Sequence, residues 1–437
     1  MAGVPTGGFP VGINNTAAEE AMPRNDSGGQ IALRDAVNVD IAPDGKPKRR
    51  AGYTAIMATT LGHSAWSDDY LPWGLFVDGS NLCVMHQDES IDVLRSDMAP
   101  GLPVSYTRIN DAVWWTNGVQ NGQITLDLEQ LEWAVGHPSG PPAVAATSGG
   151  MLPQGTYQVT ATLLDSLGRE SGAPRAAMVE VASDGAIALT AIPQPPPGGR
   201  TRIYMTEGQD GVLRAAVTVP DGTTEYTLLQ LPKGRTCDTQ FLRPMPAGHL
   251  ITHGNGRMYV AVGREVFFSP ALRYGLFNPA SARIGFNGRV QMIAYVGDGT
   301  EGAGLYVSDN KRVYWLGAPD PANWTQRIAY SSPALPGPIA WVPGYVVGAT
   351  SDALVPCWHA RNGRLCVGLP GGQVLTPQPR DGLPDAVWDG GDSAALTYIE
   401  NAGDRRLVST VRGASSSALA ASDEVFVEEH RHYSNPN

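Results

Sequence analysis

Apolar residues occur along this chain in short runs, each followed by a turn rich in glycine, asparagine or aspartate and then by a second apolar run. An apolar strand, a tight turn and a second apolar strand are typical of a β-hairpin. The second of these hairpins shows two turn signals, Asn117-Gly118 and Asn121-Gly122. Hairpins are predicted over residues 82–94, 113–126, 257–268, 305–316 and 365–375.

Repeated hairpins of one design favour a β-propeller, whose blades are small antiparallel sheets around a channel. The hairpins start at irregular intervals and no Trp-Asp signature recurs, so the pattern does not indicate a regular blade repeat. A sandwich or an irregular β-barrel is the alternative. The prediction is an all-β, β-propeller-like body built of antiparallel hairpins.

Residues 141–232 interrupt this pattern with about seven shorter strands separated by turn signals. The best of them, residues 157–163, alternates apolar and polar positions, as a half-buried strand does. Seven short strands in a segment of this length fit an immunoglobulin-like sandwich, and the absence of cysteine favours the fibronectin type III variety. The predicted domains are therefore 1–140 (a docking hairpin and the first blades), 141–232 (the fibronectin III-like insertion) and 233–437 (the remaining blades).

The N-terminal part begins with a capping-box pattern that predicts a short helix over residues 16–22. Val37, Val39 and Ile41 then alternate with polar residues, which indicates a strand. Pro43-Asp44-Gly45 supplies a turn, and the returning strand is basic: Lys46, Lys48, Arg49 and Arg50 form the densest positive patch of the chain. The patch is either a solvated hairpin or a docking surface for an acidic neighbour, with DNA contact as a third possibility.

Composition agrees with many short strands. The 437 residues include 52 glycines and 35 prolines, which punctuate turns and interrupt helices. Only 17% of the residues are charged, which excludes a disordered acidic tail or a coiled coil. The formal net charge of −11 argues against a protein that grips nucleic acid, because phosphate binding needs a basic domain or stripe. An acidic surface instead lets DNA pass without adhering to it.

Two further features bear on the compartment. The four cysteines are too scattered for a disulfide framework and are expected to be buried free thiols: Cys83, Cys237, Cys357 and Cys366. The first residues lack a charged region followed by an apolar core, and no apolar run reaches the length of a membrane span, so a protein made in the cytoplasm is expected.

Candidate chemistry is sparse. The chain contains no Gly-x-Ser-x-Gly, His-Glu-x-x-His or phosphate-binding Gly-x-x-x-x-Gly-Lys-Ser/Thr motif, and no enzyme, cofactor or metal is predicted. Paired carboxylates for glycoside cleavage stay open, because sequence does not give their separation. Four weaker groups favour structural interpretations: His249 with His253, His430 with His432, the fragment 298–301 of a calcium-loop pattern, and the aromatic residues Trp66, Tyr70, Trp73, Trp114 and Trp115.

The N-terminal stretch also carries a family resemblance. Gly12-Ile13-Asn14-Asn15, Leu33-Arg34-Asp35-Ala36-Val37-Asn38-Val39-Asp40 and Arg49-Arg50-Ala51-Gly52-Tyr53 resemble the opening of phage virion proteins, the tail nozzle or hub proteins of short-tailed phages, including the packaged-DNA stabilisation type. The resemblance implies a ring, expected to be a hexamer, below the tail adaptor or connector. It places Arg34, Asp35 and Asn38 with the basic strand on a partner-docking surface.

The function expected from this resemblance is structural: an oligomeric tail ring that channels and retains the genome before ejection. Its partners would be the tail adaptor, tail fibre or spike proteins, DNA passing through the lumen without specific binding, and the host envelope; its location would be the virion tail. A tail-tip propeller that binds a receptor or carbohydrate is the alternative. A hydrolase of envelope sugars is the third hypothesis.

Overall fold

The computed structural model describes residues 39–41, 46–49, 62–297, 302–317, 320–347, 353–376, 391–401 and 404–412. Within these ranges the secondary structure consists of β-strands and four short 3₁₀ turns, at Gly208–Asp210, Pro321–Asn323, Gly344–Val347 and Pro370–Gly372. No α-helix occurs in the described residues. The helix predicted over residues 16–22 lies outside them.

The chain forms two compact units. One comprises residues His63–Met85 and Ile91–Gly285, and the other contains the N-terminal hairpin, residues His86–Ser90 and the described residues from Phe286 onward. The predicted boundaries at 140/141 and 232/233 both fall inside the first of these units, which we call the larger unit.

The N-terminal hairpin pairs β1 (Val39–Ile41) with β2 (Pro47–Arg49), in the register Val39↔Arg49. The larger unit begins with two four-stranded antiparallel sheets in which neighbours along the chain are neighbours in the sheet. The first sheet consists of β3 (Gly62–Ser67), β4 (Trp73–Asp78), β5 (Asn81–His86) and β6 (Ile91–Arg95). The second consists of β7 (Ser105–Ile109), β8 (Ala112–Thr116), β9 (Asn121–Thr125) and β10 (Gln130–Leu131).

Seven strands then form two sheets, which we call the sandwich. They are β11 (Ala143–Leu152), β12 (Gly155–Leu164), β13 (Ala177–Val181), β14 (Gly185–Thr190), β15 (Arg200–Thr206), β16 (Leu213–Pro220) and β17 (Tyr226–Leu228). The sheet orders are β11-β14-β17 and β13-β12-β15-β16. Residues from both sheets share one apolar core, which includes Tyr157, Ile187 and Ile203.

The fibronectin III-like assignment of this segment is not confirmed. In an immunoglobulin-type sandwich the first two strands belong to the same sheet. Here β11 and β12 belong to different sheets. The number of strands agrees with the prediction, because each strand shows its own alternation and turn signals. The order of the strands in the two sheets depends on long-range pairing, which such local signals do not encode.

The larger unit ends with β18 (Arg243–Pro244), β19 (Leu250–Gly254), β20 (Arg257–Val262), β21 (Glu265–Phe268), β22 (Leu276–Phe277) and β23 (Arg283–Gly285). The sheet β19-β20-β21-β23 lies against the sheet β7–β10. Thr116 donates its hydroxyl to the carbonyl of Gly248 at 2.6 Å, and the amide of Ile251 donates to the Ser105 hydroxyl at 3.1 Å. The sandwich is thus inserted in the chain between two sheets that contact each other.

The other unit contains two more four-stranded sheets and a long ribbon. The first sheet is β24 (Met292–Val296), β25 (Gly304–Ser308), β26 (Val313–Gly317) and β27 (Thr325–Tyr330). The second is β28 (Ala340–Pro343), β29 (Leu354–His359), β30 (Leu365–Gly368) and β31 (Val374–Leu375). The ribbon pairs β32 (Ser393–Asn401) with β33 (Asp404–Arg412) and packs against β28.

Five four-stranded antiparallel sheets outside the sandwich, within the described ranges, confirm the prediction of an all-β, β-propeller-like fold. All five predicted hairpins are present. One local prediction is wrong: Asn121-Gly122 is not a second turn but the start of β9, with Gly122 paired to Trp115. Glycine is needed there because a Cβ on Gly122 would lie 2.9 Å from Nε1 of the Trp115 indole.

Candidate functional site

The basic hairpin presents three cationic side chains to solvent. Lys46, Lys48 and Arg49 are all exposed, on or next to β2. A short, two-stranded hairpin holds these charges close together, because a strand advances only about 3.4 Å per residue. The remaining predicted docking residues, Arg34, Asp35, Asn38 and Arg50, lie outside the described residues. The structure thus shows three of the seven predicted docking residues, and these three form an exposed positive patch on a chain of net charge −11.

A buried carboxylate in the sandwich was missed at the sequence level. The side chain of Glu170 is only 1% exposed. Its Oε1 accepts hydrogen bonds from the hydroxyls of Thr162 and Tyr204, both at 2.6 Å. Its Oε2 accepts from Arg202 Nη1 at 2.9 Å and from Arg235 Nη2. We call these five residues the junction cluster.

The junction cluster joins the loop that carries Glu170 to three other segments of the chain. Thr162 belongs to β12, and Arg202 and Tyr204 belong to β15, whereas Arg235 comes from the segment that leaves the sandwich. The same segment is held to β16, since the amide of Ala215 donates to the carbonyl of Arg235 at 2.9 Å. The cluster therefore attaches the four-stranded sheet of the sandwich to the chain that continues into the next sheet.

Burial explains the protonation of one member of the cluster. It raises the pKa of the Tyr204 phenol above its ordinary value, and the Glu170 carboxylate adds to the shift. The phenol thus keeps its proton and donates a hydrogen bond to the carboxylate. No local pattern predicts this arrangement, because Glu170 follows a run of polar residues and Arg235 is 65 residues away along the chain.

The histidine pair at 249 and 253 does not form a helical face. His249 precedes β19 and His253 lies within it, where its ring packs edge-on against Tyr274 with centroids 5.5 Å apart. Residues four apart in a strand are separated by about 13 Å, too far to share a metal ion. Across the described ranges, no group of three or more His, Cys, Asp or Glu residues could hold a metal. His430, His432 and the fragment 298–301 lie outside those ranges.

All four cysteines are free thiols, as predicted, but one of them is not buried as expected. Cys83, Cys357 and Cys366 are buried, and Cys237 is half-buried. Cys357 and Cys366 lie on neighbouring strands, but Cys366 is opposite Trp358 in the register, so the two thiols point to opposite faces of the sheet. Burial raises the pKa of both thiols to about 12. This pair has neither the geometry nor the ionisation of a redox site.

Most of the aromatic residues that a glycan platform would need belong to the core. Trp73, Trp114 and Trp115 are buried and Trp66 is half-buried. Tyr70 is different: it is 86% exposed, and the guanidinium of Arg108 lies 5.8 Å from the centre of its ring. Among the described residues, no helix is both long enough and apolar enough to cross a membrane.

Comparison with known proteins yields similarity of structure alone. No protein-family model matches the sequence, and no curated protein is significantly similar to it. A gluconolactonase of Xanthomonas campestris is 14% identical, with a TM-score of 0.34, and the match covers 81% of this chain and 84% of that one.

Two further solved structures show the same weak similarity. BBS1N in complex with ARL6DN is 10% identical, with a TM-score of 0.30, and the match covers 83% of this chain and 92% of that one. The N-terminal domain of Nup159 is 10% identical, with a TM-score of 0.25, over 78% of this chain and 71% of that one. All three TM-scores are below 0.5.

Proposed function

We propose that this protein is a structural component of a phage tail, in which several copies, six in the simplest case, form a nozzle or hub ring that channels the genome and retains it before ejection. The observation that carries the proposal is the exposed basic hairpin on an otherwise acidic chain. In this role the protein works by shape and charge, without catalysis and without a cofactor.

The hairpin supports docking to an acidic neighbour. One short hairpin carries three exposed positive charges, on Lys46, Lys48 and Arg49, whereas the whole chain has a formal net charge of −11. Opposite charges steer an encounter and fix its orientation, even where they add little net affinity. A tail adaptor with an acidic rim, or the acidic surface of a second copy, has the chemistry that this patch recognises.

The remaining charge supports passage of DNA. A lumen of net negative charge repels phosphate, and this repulsion keeps a duplex mobile during ejection. Tight binding would need many cationic contacts and would depend strongly on salt. The sheets supply the wall: the described cores are apolar and close-packed, as in the cluster around Trp115 and the cluster around Trp358.

The test is the assembly state of the full-length chain. Negative-stain electron microscopy and light scattering of the purified protein are expected to show a hollow ring whose mass corresponds to several copies of the 46.2 kDa chain. In a gel-shift assay at low salt, the ring is expected not to retard double-stranded DNA. A solid monomeric particle, or tight retention of duplex DNA, contradicts the proposal.

The hairpin is tested by charge reversal. Lys46→Glu, Lys48→Glu and Arg49→Glu together are expected to abolish assembly of the ring, alone or on its adaptor, while the far-UV circular dichroism spectrum stays unchanged. The matched control reverses the same number of exposed cations elsewhere: Lys233→Glu, Arg264→Glu and Arg361→Glu. Equal loss of assembly in both triple variants would show that net charge matters and that the hairpin has no special role.

A further inference from the structure

The sandwich has four edge strands, and one of them is unprotected along most of its length. The edges are β11 and β17 in one sheet and β13 and β16 in the other. Native proteins protect an edge by making it short, by placing charge or proline on it, or by covering it. An edge without such protection offers a row of backbone donors and acceptors to another strand.

Three of the edges are protected. Strand β17 has only three residues, and β13 carries the exposed Glu180. Strand β16 carries Arg214 and Pro220. It is also covered, because Cys237 donates its amide to the carbonyl of Leu213 at 2.8 Å.

Strand β11 lacks these protections along residues 143–148, and the irregularity that interrupts its pairing lies beyond them, between Ser148 and Leu152. It has ten residues, Ala143–Leu152, with the sequence AVAATSGGML, and contains no charge and no proline. Seven of the ten are exposed. Ala145 and Thr147 lie on one face and Ala146 and Ser148 on the other, so both faces of the strand are accessible.

The outer side of β11 makes no backbone hydrogen bond in the described part of the chain. Residues 143–148 pair in register with β14 alone, from Ala143↔Thr190 to Ser148↔Gly185. Backbone hydrogen bonds to other partners occur only at the end of the strand, beyond residue 148. There the Gly150 amide donates to the carbonyl of Asp184, and the Met151 amide donates to the carbonyl of Leu229. Six residues of unpaired edge span about 20 Å, the length of an ordinary strand.

We infer that β11 pairs with β11 of a second copy of this chain, antiparallel and about a twofold axis. Two copies, each with a formal net charge of −11, repel one another, so they can meet most readily through surfaces without charged side chains. Antiparallel pairing of one edge with itself is self-complementary: residue i of one copy bonds residue j of the other, and j bonds i. This contact goes beyond the proposed ring, because rotational closure of a ring uses two different surfaces of each copy.

The test adds charge to the edge. The full-length double variant Ala145→Lys, Thr147→Lys is expected to halve the particle mass in light scattering, since four lysines would then meet in one interface. The matched control Thr325→Lys, Ile328→Lys adds the same charge to exposed positions of β27, an edge that already carries Arg327, and is expected to leave the mass unchanged.

Hydrogen exchange gives a second readout. The amides of residues 143–148 that point away from β14 are expected to exchange at least tenfold more slowly in concentrated wild-type protein than in dilute protein. They are expected to lose this dependence in the double lysine variant. A wild-type mass equal to that of the variant, together with fast exchange at every concentration, overturns the inference. The mass is expected to halve whether or not a ring is present, so failure of the ring proposal and failure of this one are distinguishable.

Discussion

Replacing Glu170 with glutamine removes the charge of the junction cluster and leaves its shape. The amide has one acceptor oxygen, which can face Arg202 and Arg235, and one NH₂ group, which can face the hydroxyls of Thr162 and Tyr204. Hydroxyls accept as well as donate, so this orientation keeps hydrogen bonds on both sides. The loss is then the charge assistance of the two guanidinium bonds.

The magnitude follows from exposure. A hydrogen bond to a charged group contributes about 1.5–3 kcal/mol, roughly twice a neutral bond. The Arg235 side chain is 52% exposed, so water screens its bond strongly, whereas Arg202 is 21% exposed and its bond is screened less. We expect Glu170→Gln to destabilise the sandwich by about 2 kcal/mol. Glu170→Ala removes every acceptor and is expected to cost about 4 kcal/mol, within the range for breaking a buried ion pair.

The assay must report on the sandwich alone, because a chain of two units need not unfold in one step. Hydrogen exchange followed by mass spectrometry does so through peptides of β12 and β15. A loss of about 2 kcal/mol corresponds to roughly 30-fold faster exchange of their slowest amides, since each 1.4 kcal/mol is a factor of ten. The control is Glu180→Gln, which neutralises an exposed glutamate on β13. Exchange within threefold of wild type for Glu170→Gln would refute the reasoning.

Three further substitutions or treatments test the packing. Gly122→Ala is expected to destabilise the larger unit by about 1–3 kcal/mol in urea unfolding, because the new methyl group would clash with the indole of Trp115. Cys357 and Cys366 are expected not to react with a thiol reagent at pH 8 in the native protein, since burial raises the pKa of both to about 12. Burial lowers the pKa of His359 from 6.5 to about 4, so as the pH falls the unfolded chain binds a proton at this residue before the folded chain does. The contribution of neutral His359 to the free energy of unfolding is therefore fully present above pH 6.5. It is expected to fall by up to about 3 kcal/mol towards pH 4, as measured by the urea midpoint.

Each of these has a control. Gly136→Ala adds a methyl group where no other atom lies within 4 Å, and is expected to be neutral. Cys237 is half-buried and is expected to react before the buried thiols, and all four cysteines should react in denaturant. His359→Gln is expected to flatten the pH dependence between pH 6.5 and pH 4. Unchanged pH dependence in that variant would assign the effect to another group.

Local signals predicted the strands well because a hairpin is a local structure. The register Leu305↔Leu316 joins residues only 11 positions apart, and their apolar character and the turn between them are both visible in the sequence. The error at Gly122 has the opposite origin: Asn-Gly is a common turn signal, but this glycine accommodates the ring of Trp115. The sequence alone does not distinguish a glycine that makes room for a neighbouring side chain from a glycine that forms a turn.

Non-local structure was not predictable in this way. The sandwich connectivity places β11 beside β14, across two intervening strands, and nothing in either strand specifies that pairing. The residues before Glu170 resemble an exposed loop, because four of the five are polar or glycine. Its burial depends on Arg202 and Arg235 arriving from distant segments. The basic hairpin, by contrast, could be predicted from the sequence, because its charged residues are neighbours along the chain and stay close together in any fold.

The two proposed contact surfaces should respond to salt in opposite directions. The hairpin works through the positive charges of Lys46, Lys48 and Arg49, so raising the ionic strength screens its attraction to an acidic neighbour. Strand β11 is uncharged, and its pairing is opposed only by the net repulsion between two acidic chains, which salt also screens. Raising NaCl from 0.05 to 0.5 M shortens the Debye length from about 14 Å to about 4 Å. Over this range we expect the hairpin-dependent assembly to dissociate. We expect the protection of residues 143–148 from hydrogen exchange to persist or increase. Loss of both contacts at high salt would show that the pairing of β11 depends on charge, and assembly that survives high salt would show that the hairpin acts through something other than its cations.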